Sequence, residues 1–352
     1  MPEFVTPPPL ERGDQVAIVA PSSGLAAEYP HVYDLGLERL RTVFDLDPVE
    51  YPTATKDDEY LAAHPVERAR DVMDAFRDPD IRGVVTTIGG ADQLRILQHL
   101  DPDVLREHPT RFYGISDNTN LTSYLWNQGI VSYYGGTVMT TLAMQGSMCD
   151  YSVEYLERAF FEESIGAIEP ADRFTDDDLD WADPDTLGQR REFEDNRGWR
   201  WAGGGGDQRV EGRVWGGCLD VLVPFLAADR YAPGVSDLEG RVLLLETSEE
   251  RPSVDEVRMG LLAMGERGIL EAVDGVIVGR AKARSPWEDR EPAERTAYRE
   301  HQRETIETVV GEYNPTAPIV FDVDVGHTAP EVPVPIGGRA VLDPAAERIS
   351  FP

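Results

Sequence analysis

Ser116 stands at the end of a short apolar run, Arg111-Phe112-Tyr113-Gly114-Ile115, and is followed at once by the small polar residues Asp117-Asn118-Thr119-Asn120. A strand that stops at a serine and turns directly into a helix is a nucleophile elbow, which lifts the hydroxyl out of the sheet toward an incoming carbonyl carbon. Gly114 leaves room beside the turn, and Thr119-Asn120 suit the start of a helix carrying Leu121, Tyr124 and Leu125. The Asp117 N–H, at the head of that helix, would face the oxygen that becomes negative on attack. A second backbone donor is available at Gly90. The run Ile81 to Ile88 ends in Gly89-Gly90, and a glycine pair lets backbone amides approach a ligand closely, which makes Gly89 a candidate substrate contact and the Gly90 N–H a candidate oxyanion donor. Taken one at a time, these residues also read as an ordinary helix start and a tight turn.

A serine nucleophile needs a base and an orienting carboxylate. Of the six histidines (His31, His64, His99, His108, His301 and His327), only His327 combines a preceding strand, a glycine and a following polar turn. Glu246 follows Val242-Leu243-Leu244-Leu245, so its carboxylate must find a partner or reach the surface. With Ser116 the two complete a candidate triad in the chain order Ser, Glu, His, and geometry rather than order has to confirm it.

The elements that must hold these residues alternate. Gln15 to Ala20 is a buried-strand run, a helical pattern passes through Tyr33, Leu37, Leu40 and Phe44, and Pro65 to Phe76 is helical again. The strand ending at Gly89-Gly90 leads into a helix expected over Ala91–Leu100. This alternation predicts an α/β fold, with an N-terminal doubly wound, mainly parallel sheet domain over residues 1–165. In such sheets functional groups gather at the carboxyl ends of strands, where Gly89-Gly90 and Ser116 both lie. Residues 166–209 read as a long acidic loop holding Asp176-Asp177-Asp178, Trp181, Trp199, Trp201 and Gly203-Gly204-Gly205-Gly206, either a binding lid or a connector fastened by its tryptophans. Residues 210–352 form a second α/β domain with a strand-rich end, carrying Glu246 and His327, and its helix from Glu291 to Val310 reads as charged and exposed.

Composition removes several function classes. The 352 residues include 65 acidic and 33 basic ones, a net charge of −32, and only Lys56 and Lys282 of the bases are lysines. Such a charge opposes nucleic-acid binding. It also repels itself, less so in molar salt where the Debye length falls to about 3 Å, which points to a salt-adapted protein. No apolar run approaches the ~18 residues of a membrane span, and the proline-rich start lacks the basic and apolar segments of a signal peptide, so cytoplasmic residence is expected. Cys149 and Cys218 have neither metal nor redox spacing, and the absence of a G-x-G-x-x-G after the first strand argues against a dinucleotide.

Gly114-Ile115-Ser116-Asp117, Leu245-Glu246-Thr247-Ser248-Glu249, Val325-Gly326-His327 and the opening Gly13-Asp14-Gln15-Val16-Ala17-Ile18-Val19-Ala20-Pro21-Ser22 together resemble the LD-carboxypeptidase family of serine peptidases. The resemblance runs from about residue 13 to 342. It implies a Ser-His-Glu triad at Ser116, His327 and Glu246, an acyl-enzyme without metal or other cofactor, a small-molecule substrate and a homodimer. Thr87-Ile88-Gly89-Gly90 is similar to the microcin-immunity, MccF-like branch, whereas murein-trimming members carry an Arg-Gly-Gly-Tyr-Gly-like loop. In that branch a loop tryptophan stacks on the adenine of an aminoacyl or peptidyl nucleotide, and Trp181 is the nearest match by spacing. Arg251 is then a candidate partner for a substrate carboxylate or phosphate. The family's Gly-Gly-Asn-Leu reads Gly216-Gly217-Cys218-Leu219 here, which removes one amide contact. Three readings follow: an MccF-like serine hydrolase, an L,D-carboxypeptidase acting on murein-type peptides, and a binding module without turnover.

Overall fold

The computed structural model describes residues 3–204, 208–285 and 290–352; Gly205, Gly206 and Asp207 of the glycine-rich loop lie outside the described residues. The chain divides into two compact units. One takes the residues up to Ser164 together with Leu179–Arg191 and Val332–Gly337, and the other takes Ile165–Asp178, Glu192–Glu331 and Gly338–Pro352.

The first unit is built on a six-stranded sheet. Its strands run in the order Val334–Ile336, Ser132–Tyr134, Arg111–Gly114, Ile81–Thr86, Gln15–Val19, Asp47–Glu50. The last five are parallel, and Val334–Ile336 closes the edge antiparallel to Ser132–Tyr134. Val16 to Val19 are wholly buried, as a strand covered by helices on both faces must be. The order reverses between Gln15–Val19 and Ile81–Thr86, so the loops leaving these two strands diverge around a switch point where a ligand can enter. They are tied there by Ser23 N–H donating to Gly89 O at 3.1 Å. Arg111, fully buried, donates to the carbonyls of Pro7, Ala159, Phe160 and Glu162, and so satisfies the exposed carbonyl end of the helix Asp150–Phe161.

The second unit has an eight-stranded sheet in the order Gly166–Ile168, Arg348–Phe351, Arg339–Asp343, Val210–Cys218, Val242–Glu246, Gly275–Gly279, Pro318–Val323, Arg200–Gly203. The four strands from Val210–Cys218 to Pro318–Val323 are parallel, and the flanking ones antiparallel. The 22-residue helix Pro292–Tyr313 reads as exposed by its charge, yet Arg299, Gln302, Ile306, Val309 and Val310 are buried. The reason is a polar core that periodicity does not reveal.

Its centre is Asp176. Within the second unit its carboxylate accepts from Arg299 at 2.5 Å and from the Ala283 and Arg284 N–H groups at 2.8 and 3.1 Å, while Arg280 and Arg299 cover the Phe174 ring at 4.3 and 4.9 Å. Burial works to raise the Asp176 pKa, but the Arg299 charge and the amide donors outweigh it and hold it below the usual carboxylate range. Asp176→Ala would leave the buried Arg299 with the longer 3.4 Å contact to the part-exposed Glu194, so urea denaturation should report a loss of up to about 3–5 kcal/mol. Because the folded pKa is depressed, the contribution is present above the unfolded carboxylate range and disappears as pH falls through the folded value. The difference between wild type and variant should therefore shrink in acid.

Candidate active site

Ser116 begins a 3-10 turn, Ser116–Asn118, that opens the helix Thr119–Asn127 at the carboxyl end of Arg111–Gly114. Its φ of 61° is left-handed, a conformation costing a non-glycine residue roughly 1–2 kcal/mol. The surroundings force it. Ser116 N–H donates to Tyr134 Oη at 3.0 Å, and Asn118 Nδ2 donates to Ile88 O and Ile115 O at 3.1 and 2.9 Å. A Cβ at Gly114 would lie 2.7 Å from Asn118 Cβ, so only glycine lets the turn fold back on its strand.

The glycine loop is fitted against the serine. A Cβ on Gly89 would meet Ser116 Cβ at 2.6 Å, and one on Gly90 would meet Ser22 Cβ and Ser23 N at 2.9 Å. Neither Gly90 N–H nor Asp117 N–H has an acceptor among the described residues. The segment expected as a helix over Ala91–Leu100 is instead two 3-10 turns, Gln93–Arg95 and Leu97–His99. Side chains from the elbow pull it out of helical register. Gln93 N–H donates to Asp117 Oδ2 at 2.8 Å, Gln93 Nε2 donates to Asn118 Oδ1 at 2.7 Å, and Leu121 N–H donates to Gln93 Oε1 at 3.0 Å. Asp117 is thus a buried carboxyl clamp as well as a backbone donor, and burial raises its pKa against these donors.

In the second unit, Glu246 ends Val242–Glu246 beside Cys218, its register partner on Val210–Cys218. His327 Nδ1 hydrogen-bonds Glu246 Oε2 at 2.7 Å. Gly326, φ 100°, makes that contact possible, because a Cβ there would fall 2.3 Å from Glu246 Oε2. A Cβ on Gly279 would crowd Glu246 Cβ at 2.8 Å, so the carboxylate is gripped by two glycines. Burial alone would lower the His327 pKa, but the charges of Glu246 and Glu249 raise it well above the ordinary histidine value. Cys218 is a protonated thiol: burial first, then the Glu246 charge, raise its pKa. Its thiol donates weakly to Asp220 Oδ2 at 3.6 Å.

The structure therefore brings Ser116, Gly89, Gly90 and Asp117 together in the first unit and pairs Glu246 with His327 in the second. Trp181 belongs to the first unit. Its carbonyl accepts from His31 Nε2 at 2.8 Å and its half-buried ring meets Tyr29 edge-on, with centroids 5.8 Å apart. Arg251 belongs to the second unit, in a left-handed turn of φ 54° with its N–H on Ser248 O at 3.2 Å. Gln93, Asn118, Tyr134 and Glu249 also take part in these arrangements, and no motif or spacing marks Gln93 or Tyr134. Among the described residues no three His, Cys, Asp or Glu side chains are grouped so as to hold a metal ion, and no helix is long and apolar enough to cross a membrane.

Comparison with known proteins agrees with this architecture. A protein of Bacillus subtilis called a probable murein peptide carboxypeptidase is 26% identical over 343 residues, covering 96% of this chain and 92% of its own. The microcin C7 self-immunity protein MccF of Escherichia coli is 23% identical over 347 residues, covering 97% and 94%. The crystal structure of an MccF-like protein from Streptococcus pneumoniae in complex with AMP superposes with a TM-score of 0.86 at 29% identity, covering 96% of this chain and 98% of that one. Residues 16–135 match the LD-carboxypeptidase N-terminal domain and residues 211–342 the LD-carboxypeptidase C-terminal domain. With both halves matched in order, the chain belongs to the LD-carboxypeptidase family and is a serine peptidase.

Proposed function

We propose that the protein hydrolyses an amide or peptide bond near a free carboxylate, with Ser116 as nucleophile, His327 as base and Glu246 as the group that orients the imidazole. Ser116 Oγ attacks the carbonyl carbon as its proton passes to His327 Nε2. The N–H groups of Gly90 and Asp117 receive the oxyanion. The imidazolium then protonates the leaving amine, and water, deprotonated by the same nitrogen, releases the acyl group from the serine. The observation that carries this reading is the strained Ser116 turn packed on Gly89 with two free backbone donors beside it. The tight Glu246–His327 pair supports the other two roles.

Within that reading the substrate is an aminoacyl or peptidyl nucleotide, with Trp181 stacking on the base and Arg251 meeting the carboxylate or phosphate. The AMP bound by the pneumococcal protein and the edge-on Tyr29 contact that steadies the Trp181 ring support it. The homodimer, cytoplasmic residence and salt adaptation belong to the same proposal. The relative named for murein peptides favours a second reading, an L,D-carboxypeptidase. Assays in molar potassium chloride of an amide-linked aminoacyl-sulfamoyl adenosine, an L,D-tetrapeptide and an L,L-dipeptide separate the two. We expect cleavage of the nucleotide conjugate, reduced roughly 5- to 150-fold in kcat/KM by Trp181→Ala, the worth of ~1–3 kcal/mol of stacking. Cleavage of the tetrapeptide alone, indifferent to Trp181, moves the function to cell-wall peptides, and cleavage of none of them favours a binding module.

A further inference from the structure

His327 carries a carboxylate on each ring nitrogen. Glu246 holds Nδ1 through an aligned hydrogen bond of 2.7 Å from a side chain with no exposure. Glu249 Oε2 lies 2.9 Å from Nε2, on a side chain 45% exposed. The second contact is an ion pair in which charge contributes more than hydrogen bonding. One carboxylate is locked by the packing of Gly279 and Gly326, and the other belongs to a partly exposed side chain in a turn.

A histidine that takes a proton from a serine does so through an unprotonated, unobstructed Nε2. Here that nitrogen faces an anion, which favours keeping the second proton on the ring. We propose that Glu249 is a latch on the general base, occupying His327 Nε2 in the resting enzyme and leaving it before the imidazole can accept a proton. Unlatching breaks the Glu249–His327 ion pair, Glu249 turns into solvent, and the Nε2 proton passes to water. No covalent bond other than N–H changes. An anionic substrate would repel Glu249 as it binds, which couples release of the base to occupancy of the site. This rests on His327 being the base, as proposed above.

The neighbouring charges leave Glu249 the movable one. Cys218 is a buried thiol, Asp220 is committed to Ser248 N–H at 3.0 Å, and Lys282, which acts on Glu249 by charge, is paired with Asp178 at 2.7 Å. The imidazolium outweighs burial and depresses the Glu249 pKa, the reciprocal of the rise at His327.

The test is an NMR titration of the His327 ring in the full chain, assigned with His327→Gln, for wild type, Glu249→Gln and Glu249→Ala. The latch predicts that the His327 midpoint falls by about one pH unit or more in both variants, a tenfold change in proton affinity. The acidic limb of kcat/KM should move down by the same amount, raising the neutral-pH rate severalfold. An unmoved midpoint in both variants overturns the latch. The titration needs no substrate, so absence of Ser116-dependent hydrolysis would sink the functional reading while the ring midpoint still decides the role of Glu249.

Discussion

Ser116→Ala is expected to lower kcat by about ten-thousandfold to a millionfold, the range found when a serine nucleophile is removed from an otherwise intact triad. The fold should not notice. Alanine carries the same left-handed strain at φ 61°, and Ser116 Oγ is not what ties the turn down. Its backbone N–H on Tyr134 and the Asn118 side chain on Ile88 and Ile115 do that. Thermal melts of Ser116→Ala should therefore overlay wild type. Ser116→Gly should be as inactive but melt higher, because glycine adopts this conformation without a Cβ penalty of roughly 1 kcal/mol. Steady-state hydrolysis and melts on the same preparations check both halves. Retention of more than about one part in a hundred of the wild-type rate would remove Ser116 from the role of nucleophile, since binding and oxyanion donors alone leave far less.

The opposite stability and activity effects expected at Ser116 explain why the elbow was readable from residues alone. A strained turn needs small neighbours, and Gly114, Gly89 and Gly90 are the sequence trace of that need. The same is true of Val325-Gly326-His327, where glycine admits the Glu246 carboxylate. The inner strands Gln15–Val19 and Ile81–Thr86 are legible because they are largely buried apolar stretches, whereas the edge strand Asp47–Glu50 is half-exposed and polar and carries no such signal. What escaped was polar and non-local. Gln93 binds the elbow through three hydrogen bonds across more than 20 residues, and it converts an expected helix into 3-10 turns. Asp176 sits in a run of three acids that reads as a solvated loop, yet it is buried against Arg299, 123 positions away. The helix Pro292–Tyr313 looks exposed because its buried face includes an arginine and a glutamine. Glu249 lay within a quoted motif, but only the position of the His327 ring reveals that it faces Nε2.

Glu246→Gln is the second large effect, with an expected loss of about a thousandfold to ten-thousandfold in kcat. The amide nearly matches the carboxylate in size, so the space defined by Gly279 and Gly326 stays filled. What changes is the partner of His327 Nδ1. An amide oxygen would still accept a hydrogen bond but would supply no charge to the imidazolium that forms during attack, and an amide NH2 turned the other way would impose the wrong tautomer. Loss of the first charge that raises the His327 pKa should also move the acidic limb of the pH profile down. The variant thus gains neutral base at low pH and is nevertheless slower, a combination that a loss of folding cannot mimic. Stability gives an independent reading of the same pair. The folded His327 pKa lies above the unfolded one, so its pairing energy is fully present below the ordinary histidine pKa and disappears as pH rises through the folded value. The difference in melting temperature between wild type and Glu246→Gln should accordingly be largest in mild acid and shrink in alkali. A difference that grew with pH instead would mean that His327 is not charged in the folded protein. In that case the carboxylate on Nδ1 would serve only to set the tautomer.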